Sequence, residues 1–125
     1  MPVDVVAVRQ NLRMFRGDTP TFELTVLNDD DTVFDITGYT IWFTAKNLAD
    51  DADPGVFQLS TTSGDIIIIN GPEGVAEITP PITATNTFTT DRTLYYDIQI
   101  RLAAISRTHT VAAGTLQVVR DFTRA

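Results

Sequence analysis

A third of this chain branches at Cβ. Of its 125 residues, 20 are Thr, 11 Val and 11 Ile, and a branched Cβ crowds the preceding turn of a helix while packing well on a pleated surface. The order of the residues agrees with that bias. Residues 21–27 put Phe22, Leu24 and Val26 on one side and Thr21, Glu23 and Thr25 on the other, the period-two pattern of a half-buried strand. Residues 39–46 set Tyr39, Ile41, Phe43 and Ala45 against Thr40, Trp42, Thr44 and Lys46. Residues 94–102 repeat the pattern with Leu94, Tyr96, Ile98, Ile100 and Leu102 inward and Tyr95, Asp97, Gln99 and Arg101 outward. Fainter strands read at 12–15, 56–59, 65–69, 75–79 and 108–119, the last with Gly114 as the expected bend or bulge.

Seven to eight short strands separated by turn clusters, with no ten-residue stretch of helical periodicity, predict an all-β fold, an antiparallel β-sandwich. The apolar parity of the three best strands predicts a core of Phe22, Leu24, Val26, Ile41, Phe43, Tyr96, Ile98 and Ile100. Residues 79–91, polar and broken by two prolines, read as a crossover between the sheets. Nothing marks a linker, and the length suits one domain: 1–15 as an N-terminal arm or first strand, 16–125 as the sandwich. The apolar, β-branched start containing Val3, Val5 and Val8 suits either a strand laid on its own sheet or an arm pairing with a neighbour's sheet edge.

Sixteen acids against nine bases give a net charge of −7, which argues against a nucleic-acid partner, because affinity for phosphate backbones rests on Lys and Arg. Much of the acidity is local: residues 28–53 hold seven Asp and one Lys, read as solvated loops. There is no Cys, so disulfides, thiolate metal sites and cysteine nucleophiles are excluded, and assembly in a reducing cytoplasm is expected. No wholly apolar run exceeds four residues, the length of the isoleucines at 66–69, and neither a signal peptide nor a membrane span is expected.

Catalytic constellations are thin. His109 is the sole His and Glu23, Glu73 and Glu77 the sole Glu; no nucleophile elbow or phosphate-binding glycine loop occurs. The chain is not expected to be an enzyme or to carry a cofactor. The runs NDDD and DDADPG lack the spacing of a calcium loop, and Asp and Asn also favour turns, because their side chains bond nearby backbone. Arg16-Gly17-Asp18 spells an adhesion tripeptide, but Gly-Asp is also an ordinary turn pair.

Four segments occur in order: RGDTPTFELTV from Arg16, DITGYTIWFTAK from Asp35, YYDIQI from Tyr95 and GTLQVVRDFTR from Gly114. Together they resemble the immunoglobulin-like domain at the N-terminus of phage baseplate upper proteins and of related small tail-associated proteins of phages and prophages. The resemblance implies an immunoglobulin-like sandwich and a structural part in a virion, assembled in the host cytoplasm. Its implied partners are other phage structural proteins, with the chain homo-oligomeric or present in many copies. It also turns Gly17-Asp18 into a turn before a strand. The acidic region from 47 to 74 takes no part in it, and the chain stops just after its DFTR segment where relatives often continue into a helical linker and further domains.

In such a sandwich the strands at 39–46 and 94–102 neighbour each other. Their outward Trp42, Lys46, Tyr95, Gln99 and Arg101 form the candidate interface, since Trp, Tyr and Arg dominate binding energy where proteins meet. Capsid decoration is a variant of that role. Binding of host-surface carbohydrate, with Tyr39, Trp42 and Tyr95 stacking on sugar rings, is the competing one.

Overall fold

The computed structural model describes residues 8–9, 11–28, 30–48 and 55–120. Among these residues nine strands follow one another: β1 (Val8–Arg9), β2 (Leu12–Phe15), β3 (Phe22–Thr25), β4 (Thr40–Lys46), β5 (Phe57–Ser60), β6 (Ile66–Asn70), β7 (Val75–Ile78), β8 (Arg92–Leu102) and β9 (Arg107–Val119). They form two sheets. The larger runs β1-β9-β8-β4-β5, with β2 also on β9; the smaller runs β3-β7-β6. This is the strand allocation of an immunoglobulin-like sandwich, with B, E and D in one sheet and G, F, C and C′ in the other.

The eight predicted strands are all present. Pairing is antiparallel apart from one edge: β1 and β2 run parallel to β9, Val8 opposite Ala112 and Leu12–Phe15 opposite residues 116–119. Residues 8–9 and 12–15 thus lie along their own sandwich as a twice-started first strand, while Val3 and Val5 lie outside the described residues.

Burial follows the parities read from the sequence. Ile41, Phe43 and Ile100 are fully buried, Leu24, Val26, Tyr96 and Ile98 nearly so, and Trp42 is half-buried on the opposite side of β4. Phe22 departs from expectation. It is only half-buried against the core, because β3 is an edge strand and among the described residues no strand pairs with its outer side. Inside, the Phe43 ring stacks on Tyr96 at 5.0 Å and on Phe57 at 6.0 Å between centroids, nearly parallel in both pairs. Burial pushes the Tyr96 hydroxyl above its ordinary pKa, because a phenolate there would lose its water.

The bulge in β9 is not at Gly114. Gly114 sits in register opposite Tyr96, and the pairing slips where Ile98 faces Ala112 and Gln99 faces Thr110. Val111 is the extra residue, and Val111 and Ala112 are buried in succession, as expected where a bulge breaks the alternation.

The β7–β8 crossover holds a short 3₁₀ turn, Ile82–Ala84, and is fastened to the turn after β2. Arg16 is only 5% exposed, and its Nη1 donates to the Phe88 carbonyl at 2.5 Å. The Gly17 amide donates to Thr85 Oγ1 at 2.8 Å, with Gly17 at φ +76°. The Arg of Arg16-Gly17-Asp18 is therefore turned inward as a structural tie.

Candidate functional site

The register of β4 against β8 determines which side chains share the outer face of the larger sheet. Thr40 lies opposite Arg101, Trp42 opposite Gln99, Thr44 opposite Asp97 and Lys46 opposite Tyr95. Successive side chains alternate between faces, so Trp42, Lys46, Tyr95, Gln99 and Arg101 all fall on one continuous surface. The structure thus brings together the five residues picked out by parity. Tyr95 is 47% exposed and Arg101 exposed, while Trp42, Lys46 and Gln99 are half-buried. Val8, expected in an arm or first strand rather than on this face, is in β1, paired with β9 at the other edge of the same sheet.

Between the rows lies a shallow open depression of about 460 Å³, lined by Trp42, Thr44, Lys46, Gln58, Asp97, Gln99, Arg101 and Thr108. Thr44, Gln58, Asp97 and Thr108 are not among the expected interface residues. Thr44 is outward by parity yet 5% exposed, because Gln58 on β5 folds over it and donates from Nε2 to Thr44 Oγ1 at 3.0 Å. The period-two pattern assigns a face but not the cover that a neighbouring strand's side chain supplies. Gln99 Nε2 lies 3.5 Å from both Asp97 Oδ2 and Thr110 Oγ1, which orients its amide across the strands. The floor is therefore an indole with amide, hydroxyl and carboxylate groups around it and cations at opposite ends.

The same surface continues over β9 to β2, where Arg13 is exposed and Phe15 is 47% exposed. Among side chains described on this face, the cations are Arg13, Lys46 and Arg101 and the carboxylate is Asp97. In a chain of net charge −7, that is a locally positive surface.

Elsewhere the polar groups flagged in the sequence perform local structural work. His109 is half-buried and packs its ring edge-to-face on Phe34, 5.9 Å between centroids. Asp30 accepts from the Thr32 amide at 3.0 Å and from its hydroxyl at 2.5 Å; Asp35 accepts from the Thr37 amide at 2.8 Å. These bonds, the hydroxyl of Thr32 first for Asp30 and Thr37 for Asp35, hold both carboxyls below their ordinary pKa. Among the described residues, no three His, Asp or Glu gather as metal ligands; the aspartates at 50, 51 and 53 lie outside them.

No family model matches the chain, and no curated protein is similar to it. Among solved structures it is similar to the crystal structure of AggA, the major subunit of aggregative adherence fimbriae type I from Escherichia coli. The two share 10% identity over 96% of this chain and 95% of that one, with a TM-score of 0.30. A likeness that distant places no constraint on the role of this chain.

Proposed function

We propose that this chain is a structural module of a phage virion, joining neighbouring proteins of a tail, baseplate, neck or fibre-attachment assembly through the outer face of β4 and β8. The observation that carries the reading is the single contiguous surface of Trp42, Lys46, Tyr95, Gln99 and Arg101, ordered by seven consecutive β4–β8 pairs. Aromatic and Arg side chains held on a rigid sheet bring large contact area at low entropic cost, which suits a module that binds without doing chemistry. The four-segment resemblance to baseplate-associated domains supports the setting. Capsid decoration is the same role on a different part of the particle.

The test is incorporation. Trp42→Ala is expected to fold normally and to lose about 2 kcal/mol or more of association, as truncated hot spots do, so fewer copies co-purify with particles. Normal incorporation and infectivity would remove this face from the proposal.

A second reading has its own observation, the depression around Trp42 with the Gln58 and Gln99 amides, Asp97 and Thr108 at its rim. An aromatic platform ringed by amide, hydroxyl and carboxylate groups is the chemistry that holds a sugar ring, so carbohydrate of a host surface is the alternative ligand. A glycan array separates the two: saturable binding lost in Trp42→Ala favours carbohydrate, and a blank array favours protein contacts.

A further inference from the structure

The smaller sheet has the opposite character on its outer face. Glu23 on β3 lies directly opposite Glu77 on β7, and Ile67 on β6 completes that row. Ile67 is 58% and Ile69 54% exposed, and Glu23 is exposed. No strand of this sheet carries a Lys or Arg. Neither glutamate has a hydrogen-bond or ion-pair partner among the described residues. Like charges directly opposite on adjacent strands destabilise a sheet, and apolar strand residues beside them face water, so within one copy this arrangement is a cost without a return.

We propose that this face is the docking surface for a second copy of the chain, which presents the outer face of its β4 and β8. The inference rests on reading that β4–β8 face as protein-binding, and it names the partner. The match has two points. On the larger sheet Trp42 and Arg101 are diagonal neighbours across β4 and β8, about 7–8 Å apart. On the smaller sheet Ile67 and the two glutamates occupy adjacent strands about 5 Å apart. An indole over Ile67 leaves the Arg101 guanidinium positioned for the Glu77–Glu23 pair, a charge-assisted contact suited to its planar fork. Each copy then offers one face of each kind on opposite sides of the sandwich. The contact is heterologous and repeats head to tail, giving columns rather than closed two-fold pairs. A three-stranded face about 15 Å wide is small beside a standard interface, so free copies associate weakly and packing in an assembly completes the contact.

Sedimentation velocity of the whole chain, from micromolar to about millimolar concentration, tests this. The wild type is expected to sediment faster as concentration rises. The double variant Glu23→Lys, Glu77→Lys and the single variant Arg101→Glu should each associate at least about tenfold more weakly, because each sets like charge against like. An equimolar mixture of the two variants should recover association, since each now complements the other. Glu77→Lys alone guards against a folding artefact: it pairs across the strands with Glu23, so its monomer should melt no lower than wild type while failing to associate. A wild type that stays monomeric throughout, association that ignores both reversals, or variants that do not rescue each other would overturn the proposal. If the wild type stays monomeric but Trp42→Ala still loses its place in particles, the binding face stands and only the identity of its partner fails.

Discussion

Replacing Arg16 by Ala should be among the most damaging changes outside the apolar core, although its position in a turn gives no hint of that. The side chain is 5% exposed and its Nη1 donates to the carbonyl of Phe88, itself 6% exposed, which ties the end of β2 to the β7–β8 crossover. Truncation leaves a buried acceptor short of its donor, a cost of about 1–3 kcal/mol. Losing the packed aliphatic stem adds about 1 kcal/mol. The expected loss is about 2–4 kcal/mol. With an unfolding entropy near 2.1 cal/mol/K per residue, a chain of 125 residues should then melt about 8–15 °C lower. Thermal unfolding followed by circular dichroism reads this directly. Arg16→Lys, which keeps the charge but not the guanidinium, should fall between the two. A melting point for Arg16→Ala within about 2 °C of wild type, equivalent to about 0.5 kcal/mol, would refute the tie and leave the crossover held by Thr85 and its own turns.

Ile98→Ala, at a nearly buried position on β8, should cost about 2–5 kcal/mol by the usual large-to-small penalty, measured by denaturant unfolding. Gly74→Ala should cost about 2 kcal/mol or more: Gly74 has φ +74°, and a Cβ would meet the carbonyls of Phe34 and Val26 at 2.6 Å, adding overlap to a backbone region that L residues enter at about 1–3 kcal/mol. Burial raises the pKa of Tyr96 above its ordinary 10.0, so the unfolded chain releases that proton first and stability should fall as pH rises past the ordinary tyrosine range. Tyr96→Phe should flatten the decline, and an unchanged alkaline profile would assign it to other groups.

The fold was legible wherever one residue in two was apolar. β3, β4 and β8 carry that alternation without interruption, and their faces came out right because a strand has only two. What escaped was anything set by a distant partner. The parallel pairing of β1 and β2 with β9 joins residues about a hundred positions apart, and no local pattern encodes it. Arg16 reads as a solvated charge until the crossover closes over it. The bulge lies at Val111 rather than Gly114: glycine is the commoner mark of irregular strand, whereas here the signal is the adjacent apolar pair Val111 and Ala112, both buried. The candidate face was legible from parity alone; Thr44 and Gln58 were not, since their hydrogen bond depends on the register between β4 and β5. The acidic outer face of the smaller sheet is also legible in part: Glu23 and Glu77 have outward parity on their strands, but only the pairing of β3 with β7 sets them opposite each other.

The parallel edge gives the module a mechanical character. β2 and β9 point the same way, so a pull on the start of β1 and an opposite pull on the end of β9 act along the strands and slide one past the other. The four residues of β2 would then carry the load together with their partners on β9, whereas a hairpin pulled from its open end surrenders its bonds singly. Tension through the two ends must break that whole seam before the core is reached, and the unfolding rate, not the equilibrium stability, governs how long it holds.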